Sequence, residues 1–131
     1  PFNFPLYLSM RTIVPALALG NAVVHKADLQ VGLVSGSLIA KAFEEAGLPA
    51  GLFQSILTKS SVIGDLMIEH PEAGFISFTG STEVGRHIGA VAGAHLKSVA
   101  LELGGNGPFV VLDNADVDQA VKADIFGKYL H

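Results

Sequence analysis

The sequence predicts an α/β fold, in which an open sheet carries helices on both faces. Short apolar runs rich in β-branched or aromatic residues, bounded by Gly, Pro, Asn or Asp, alternate with segments of helical period. The chain has 131 residues, is 50% hydrophobic and shows no repeat or linker. We therefore expect one structural unit rather than two.

The apolar runs predict the strands. In an open α/β sheet, ligands bind beyond the carboxyl ends of the strands, so the residues that follow strands deserve most attention. Lys26 follows the first predicted strand, Thr79–Thr82 the third, and Gly104 the fourth. The predicted strands are Ala22–His25, Phe53–Leu57, Phe75–Phe78, Val99–Leu103 and Phe109–Leu112.

The segments between the strands predict helices. Gly32–Ala46 carries apolar residues on one side and charged residues on the other, and Gly47 ends it. A side chain such as that of Asp116 is a good N-cap for the last helix. The remaining predicted helices are Ser60–His70, Thr82–His95 and Val117–Ile125.

Charge and composition exclude several classes of function. Twelve acidic residues against eight basic ones give a net charge of −4, without the basic run that nucleic-acid binding needs. The longest uncharged stretch, Thr12–Val24, contains Pro15 and Gly20 and is too short to span a membrane. We therefore expect neither nucleic acid nor membrane as a partner, and a cytoplasmic location.

The absence of cysteine excludes disulfides, zinc–thiolate sites and a thiol nucleophile within these residues. Charged residues make up only 15% of the chain, against about 25% in typical globular domains. Part of its apolar surface should therefore contact something else. Since the chain also starts at Pro1 and reaches His131 without a helix-ending signal, we expect an internal piece of a longer protein.

A glycine turn after the third strand has two interpretations. Gly80 allows close backbone approach, Ser81 adds a hydroxyl and Thr82 opens a helix whose first N–H groups suit a phosphate. An ordinary capped turn is the simpler alternative. Gly85, Gly89 and Gly93 recur on one helix face, which indicates close packing against the sheet or, less simply, against a cofactor.

Three polar residues are candidates for chemistry. Glu102 lies at an apolar strand end, where a desolvated carboxylate suits a general base. Asn3 lies between prolines and aromatics, and a rigid amide suits an oxyanion. Lys26 suits a phosphate or ribose. On local evidence, a solvated Glu, a turn Asn and a solvated Lys are the favoured interpretations.

No metal site is predicted. Asp113, Asp116 and Asp118 lack the glycine and distal glutamate of a calcium loop, and capping and solvation account for them. The histidines show no H-x-x-x-H or H-E-x-x-H spacing. They are His25, His70, His87, His95 and His131.

Five segments together resemble the NAD(P)-dependent aldehyde dehydrogenase family, in its order and approximate spacing, and they cover nearly the whole chain. The first of them, with the following residues to Lys26, is most similar to the branch that acts on aromatic aldehydes such as benzaldehyde or vanillin. The segments are Pro1–Pro5, Pro15–Lys26, Ala46–Gly51, Phe78–Gly85 and Glu102–Gly105.

The resemblance implies a Rossmann-like, partial dinucleotide-binding domain over residues 1–131, in a parent enzyme that oxidises an aldehyde to a carboxylate with NAD or NADP. In that family a cysteine thiolate attacks the aldehyde to give a thiohemiacetal, hydride passes to the nicotinamide to leave a thioester, and water hydrolyses the thioester. Asn3 matches the oxyanion amide and Glu102 the base that activates the water. The implied cofactor-binding residues are Lys26, Asp28, Gly80, Ser81, Thr82, Gly85 and Leu103.

Three departures from the family pattern matter. Where the family has Lys-Pro-Ser-Glu, this chain has Lys26-Ala27-Asp28-Leu29, so Asp28 takes over from the glutamate at the ribose and repulsion of a 2′-phosphate is weakened. Lys59 lies in a turn that replaces a glycine-rich one near the adenine, and either favours an additional phosphate or is simply solvated. The catalytic cysteine is expected a few residues beyond His131.

The catalytic and oligomerisation segments are thus expected to lie outside this chain, and the chain by itself is expected to be inactive. The parent would be a homodimer or homotetramer. Two other functions stay open at this point. One is a nucleotide-binding module without catalysis, and the other is a reductase of an activated acyl group on a related scaffold.

Overall fold

A computed structural model describes residues 1–129. It has the α/β class that the sequence predicts, and His131 lies outside the described residues. The elements, in chain order, are helix α1 (Pro5–Ala18), strand β1 (Val23–Lys26), a π-helical turn (Leu33–Ser37), helix α2 (Leu38–Glu45), strand β2 (Phe53–Ile56), helix α3 (Ser60–Glu69), strand β3 (Phe75–Gly80), helix α4 (Thr82–Ala94), strand β4 (Ser98–Leu103) and helix α5 (Val117–Tyr129).

The strands form two parallel ladders rather than one continuous sheet within the described residues. β1 pairs with β2, Val23 opposite Phe53, and β3 pairs with β4, Phe75 opposite Ser98. The single open sheet expected from the sequence is corrected in this respect, because β1 and β3 do not exchange hydrogen bonds. Helix α1 reaches both ladders: it packs beside β1, and Thr12 lies 3.5 Å from Ser77 of β3 through their hydroxyls.

Helix α1 is absent from the sequence-based prediction. Its start is fixed by Phe4, whose left-handed backbone (φ 44°, ψ 48°) is rare for a bulky residue, and by Pro5 in the first turn. Ser9 and Ile13 are buried on its inner side. Pro15 lies inside the helix and has no N–H to donate to the carbonyl of Arg11, which is why the segment did not look helical.

The predicted strand Phe109–Leu112 is wrong. These residues have no strand structure, and their side chains lie in solvent, with Phe109 51% and Val110 75% exposed. An apolar run becomes a strand only beside another strand edge, and none of the described strands pairs with this one.

The other predicted elements are confirmed with shifted ends. β3 continues to Gly80, α5 continues to Tyr129, and the predicted helix Gly32–Ala46 begins as the π-helical turn Leu33–Ser37. The capping role of Asp116 is confirmed, because its Oδ1 accepts the Gln119 N–H at 3.1 Å.

The best-packed core lies between α3, α4 and the β3–β4 ladder. Ile68, Ile88 and Ala92 are buried, and Phe78 and Leu101 are among the residues packed against them. Successive strand residues point to opposite faces, so Ser77, Thr79, Ala100 and Glu102 point away from this core and toward the side on which Thr12 of α1 meets Ser77.

On the β1–β2 ladder, His25 packs near Phe53, with ring centroids 6.0 Å apart. Burial lowers the pKa of His25 below the usual 6.5, and the positive charge of Lys26 adds to this. Its Nδ1 has no hydrogen-bond partner among the described residues. Folding therefore favours the neutral ring.

His25 should make stability depend on pH. Since its folded-state pKa is depressed, its contribution is present above pH 6.5 and is lost as the pH falls through the lowered value. We expect the melting temperature to fall less between pH 8 and pH 5 in His25→Leu than in the unsubstituted protein, because leucine has no proton to gain. The exposed His95→Leu is the control. Parallel pH profiles for all three proteins would contradict this interpretation.

Candidate cofactor and catalytic site

The carboxyl ends of β3 and β4 bring together several of the predicted site residues. Gly80 lies opposite Leu103 in the parallel register, and Thr79 lies opposite Glu102. The chain turns directly from Gly80 into α4. Candidate cofactor contacts and the candidate base are thus neighbours at one end of this ladder, as expected for a site beyond strand ends.

Ser81 caps α4. Its Oγ accepts the Val84 N–H at 3.3 Å, which confirms the capping interpretation of this turn. While its oxygen accepts this hydrogen bond, the Ser81 hydroxyl can still donate its own proton to a ligand. The N–H groups of Thr82 and Glu83 belong to the first turn, where the helix itself supplies no acceptor. This turn therefore suits an anion, although the Glu83 carboxylate lies close by.

Close packing explains two of the glycines. A Cβ on Gly80 would lie 2.5 Å from Cζ of Phe78, and a Cβ on Gly85 would lie 2.3 Å from Cδ2 of Leu103. Further along α4, a Cβ on Gly89 would meet Leu101 at an ordinary 3.6 Å. The glycine stripe thus packs on β4 in its first two positions, which confirms the sheet-packing interpretation there, whereas Gly93 faces open space in the described chain.

Gly85→Ala should displace Leu103 from the end of β4. We expect it to destabilise the protein by up to about 2 kcal/mol, because overpacking of about 1–3 kcal/mol opposes a gain of about 1 kcal/mol in helix propensity. The matched control is Gly89→Ala, which gains propensity without a clash and should raise stability. Urea unfolding of both variants measures the difference, and equal shifts would contradict the packing argument.

Lys26 and Asp28 lie on the other ladder. Lys26 ends β1, half-buried, opposite Ile56, and Asp28 follows it in a turn where its Oδ1 accepts the Gln30 N–H at 2.8 Å. Both residues lie at the carboxyl end of β1, which belongs to a different ladder from the strand that precedes the Gly80 turn. Lys59 is exposed at the start of α3.

Helix α1 begins just after Asn3 and carries a residue that pairs with Glu102. Asn3 is exposed and lies just before Phe4 and the start of this helix. Arg11 of the same helix forms an ion pair with Glu102, Nη2 to Oε2 at 3.8 Å. Sequence reasoning missed Arg11, although it is the only charged residue in α1. A single charged residue within an otherwise uncharged segment was the feature of the sequence that could have pointed to Arg11.

A metal centre and a membrane span find no support in residues 1–129. No group of three or more potential ligands (His, Asp or Glu) is close enough there to hold a metal ion. Among the same residues, none of the helices combines the length and the apolar character that crossing a bilayer demands.

Comparison with known proteins identifies the family. The sequence model of the aldehyde dehydrogenase family matches residues 1–131. The chain belongs to the aldehyde dehydrogenase family.

Several individual relatives are similar to this chain over its whole length. AldY of Bacillus subtilis (strain 168) is 62% identical over 131 residues, and the vanillin dehydrogenase of Corynebacterium glutamicum is 51% identical over 133 residues; both matches cover 100% of this chain. The crystal structure of an NAD-dependent benzaldehyde dehydrogenase from C. glutamicum superimposes with a TM-score of 0.89 at 51% identity, covering 95% of this chain and 27% of that one. The chain spans about 27–28% of the length of these two curated relatives.

Proposed function

We propose that the protein containing this chain oxidises aldehydes, aromatic ones among them, to carboxylates with NAD or NADP. The observation that carries the proposal is the placement of Glu102 and Leu103 beside the Gly80 turn at the carboxyl ends of two parallel strands, in a member of the aldehyde dehydrogenase family. The similarity to a vanillin dehydrogenase and a benzaldehyde dehydrogenase supports an aromatic substrate.

Residues 1–131 would form the central part of the cofactor-binding domain, and the nucleophilic cysteine would lie outside this chain. The Ser81 hydroxyl and the N–H groups of Thr82 and Glu83 would hold the diphosphate of the dinucleotide. Lys26 and Asp28 would hold the adenosine ribose from the other ladder. When bound, the dinucleotide supplies the hydride acceptor.

The protein's own residues would manage charge and protons around the thiolate. The Asn3 amide would donate a hydrogen bond to the negative oxygen that develops when the thiolate attacks the aldehyde carbon. Glu102 would take the proton from the water that hydrolyses the thioester. The Glu102 side chain is 68% exposed in the described residues, so the desolvated carboxylate expected from its apolar strand end is not found there.

NAD and NADP both suit the residues at the ribose. Asp28 is one carboxylate near the end of β1, and one of its oxygens is held by Gln30. With Leu29 instead of a second carboxylate, the charge that would repel a 2′-phosphate is small.

Exposed apolar side chains on α5, such as Ile125 and Phe126, support packing against further segments or a second subunit.

The test uses the full protein with benzaldehyde and either dinucleotide. We expect reduced cofactor and benzoate in equal amounts, and no turnover from residues 1–131 by themselves. Dinucleotide binding without oxidation would favour a nucleotide-binding module instead. Reduction of an acyl-CoA with no oxidation of the aldehyde would favour an acyl-group reductase.

A further inference from the structure

We propose that Arg11 is a positioning residue, whose guanidinium holds the Glu102 carboxylate where it can take a proton from the hydrolytic water. This inference rests on the proposed function and deepens it. Arg11 is distant from Glu102 in sequence, and the fold brings Nη2 to 3.8 Å from Oε2.

The exposure of the pair indicates what it contributes. The Glu102 side chain is 68% exposed and that of Arg11 34%. Ion pairs at such exposed positions contribute little to folding stability. A glutamate at an exposed strand end also has several rotamers open to it, and only some of them aim the carboxylate at one point. The guanidinium therefore matters chiefly by selecting among those rotamers.

Strand geometry directs Glu102 toward α1. Leu101 packs in the core beneath α4, and side chains alternate along β4, so the next residue, Glu102, points to the opposite face. That is the face on which Thr12 of α1 meets Ser77. Arg11 precedes Thr12 and is the only charged residue of α1. It is therefore the residue of this helix that can pair with the Glu102 carboxylate.

The helix that carries Arg11 is well anchored. Ser9 and Ile13, which flank Arg11, are both buried. The same helix begins just after Asn3, and Arg11 lies about 9 Å along its axis from Pro5, at about 1.5 Å per residue. One rigid element would thus carry the oxyanion amide at its start and the cation that orients the base near its middle.

The step that Arg11 affects is hydrolysis of the thioester. The water oxygen forms a bond to the acyl carbon while Glu102 accepts a proton from that water. The carbon–sulfur bond then breaks, the cysteine leaves as the thiolate and the product is the carboxylic acid. Arg11 exchanges no proton in this step. Its loss leaves the acylation and hydride-transfer steps intact and slows the step that follows them.

The experiment compares Arg11→Met and Arg11→Lys with the unsubstituted full protein, using benzaldehyde and its preferred dinucleotide. We expect Arg11→Met to lower steady-state kcat about fivefold, the most that loss of an exposed ion pair of up to about 1 kcal/mol produces. Because only the step after hydride transfer slows, KM for the aldehyde should fall by the same factor and kcat/KM should stay unchanged. The pre-steady-state burst of reduced cofactor should keep its amplitude. Arg11→Lys should recover part of the rate, because it restores the charge without the planar fork.

Two controls separate positioning from loss of fold. Lys41 pairs with Glu45 at the same 3.8 Å on the surface of α2, so Lys41→Met removes a comparable ion pair and should behave as the unsubstituted protein. In a Glu102→Gln background, Arg11→Met should have no further effect on kcat, because both changes act on one group.

A steady-state kcat within twofold of the unsubstituted protein would overturn the inference, as would a burst amplitude that falls together with kcat. Additive effects of Arg11→Met and Glu102→Gln would also overturn it. These outcomes leave the proposed function standing. If the unsubstituted full protein forms no benzoate, the proposed function fails, and this inference fails with it.

Discussion

Glu102→Gln is expected to lower the steady-state rate of aldehyde oxidation in the full protein by about 10²–10⁴-fold, the usual contribution of a general base. The amide has nearly the shape of the carboxylate and cannot accept the proton of the attacking water. Because the thioester forms before that water reacts, one equivalent of reduced cofactor per site should still appear as a burst. Stopped-flow absorbance at the reduced-cofactor band measures both quantities.

The chain offers a close control for this substitution. Glu45 is 70% exposed and pairs with Lys41 at 3.8 Å, and Glu102 is 68% exposed and pairs with Arg11 at the same distance. Glu45→Gln therefore removes a comparable charge far from the strand ends, and both substitutions should change stability by less than about 0.5 kcal/mol. A Glu102→Gln enzyme that keeps more than a tenth of its rate would contradict the assignment of the base.

Asn3→Ala is expected to lower kcat/KM for the aldehyde by about 10²–10³-fold, the range found for loss of one oxyanion donor. In this variant the burst itself should slow, since the missing hydrogen bond acts on the attack of the thiolate, before hydride transfer. That difference separates the roles of Asn3 and Glu102 within one kinetic experiment.

The backbone around Asn3 supports a fixed amide. Phe4 adopts its left-handed conformation at a cost of about 1–2 kcal/mol for an L-residue, and its carbonyl accepts the Leu8 N–H at 2.9 Å to open α1. Asn21 at the other end of α1 donates to the Ala16 carbonyl at 3.1 Å and serves as the control. If Asn21→Ala loses as much activity as Asn3→Ala, the effect belongs to the helix rather than to an oxyanion.

Local patterns were sufficient to predict much of this fold. β2, β3 and β4 follow from apolar runs bounded by turn residues, and the start of α4 follows from the Gly80 turn and the capping Ser81. These features act over a few residues, so the sequence displays them directly. Asp116 was identified as a cap for the same reason.

The failures arise where distant residues decide the structure. Phe109–Leu112 has the composition of a strand but lacks a partner edge, and pairing is a property of two segments rather than one. Helix α1 contains Pro15 and is held by its packing against β1 and the π-helical turn, which overrides its weak local signal. Arg11 entered the candidate site only through a tertiary contact, because its spacing from Glu102 says nothing about their distance.

The separation of the two ladders has a consequence for the chain in solution. Within the described residues each ladder has two strands, so every strand is an edge strand, to which a further strand could be added. A second copy of the chain that adds a strand to one edge covers that edge. The added copy brings a new exposed edge with it. Such additions are head-to-tail contacts, which generate open filaments wherever the rotation between copies does not close a ring.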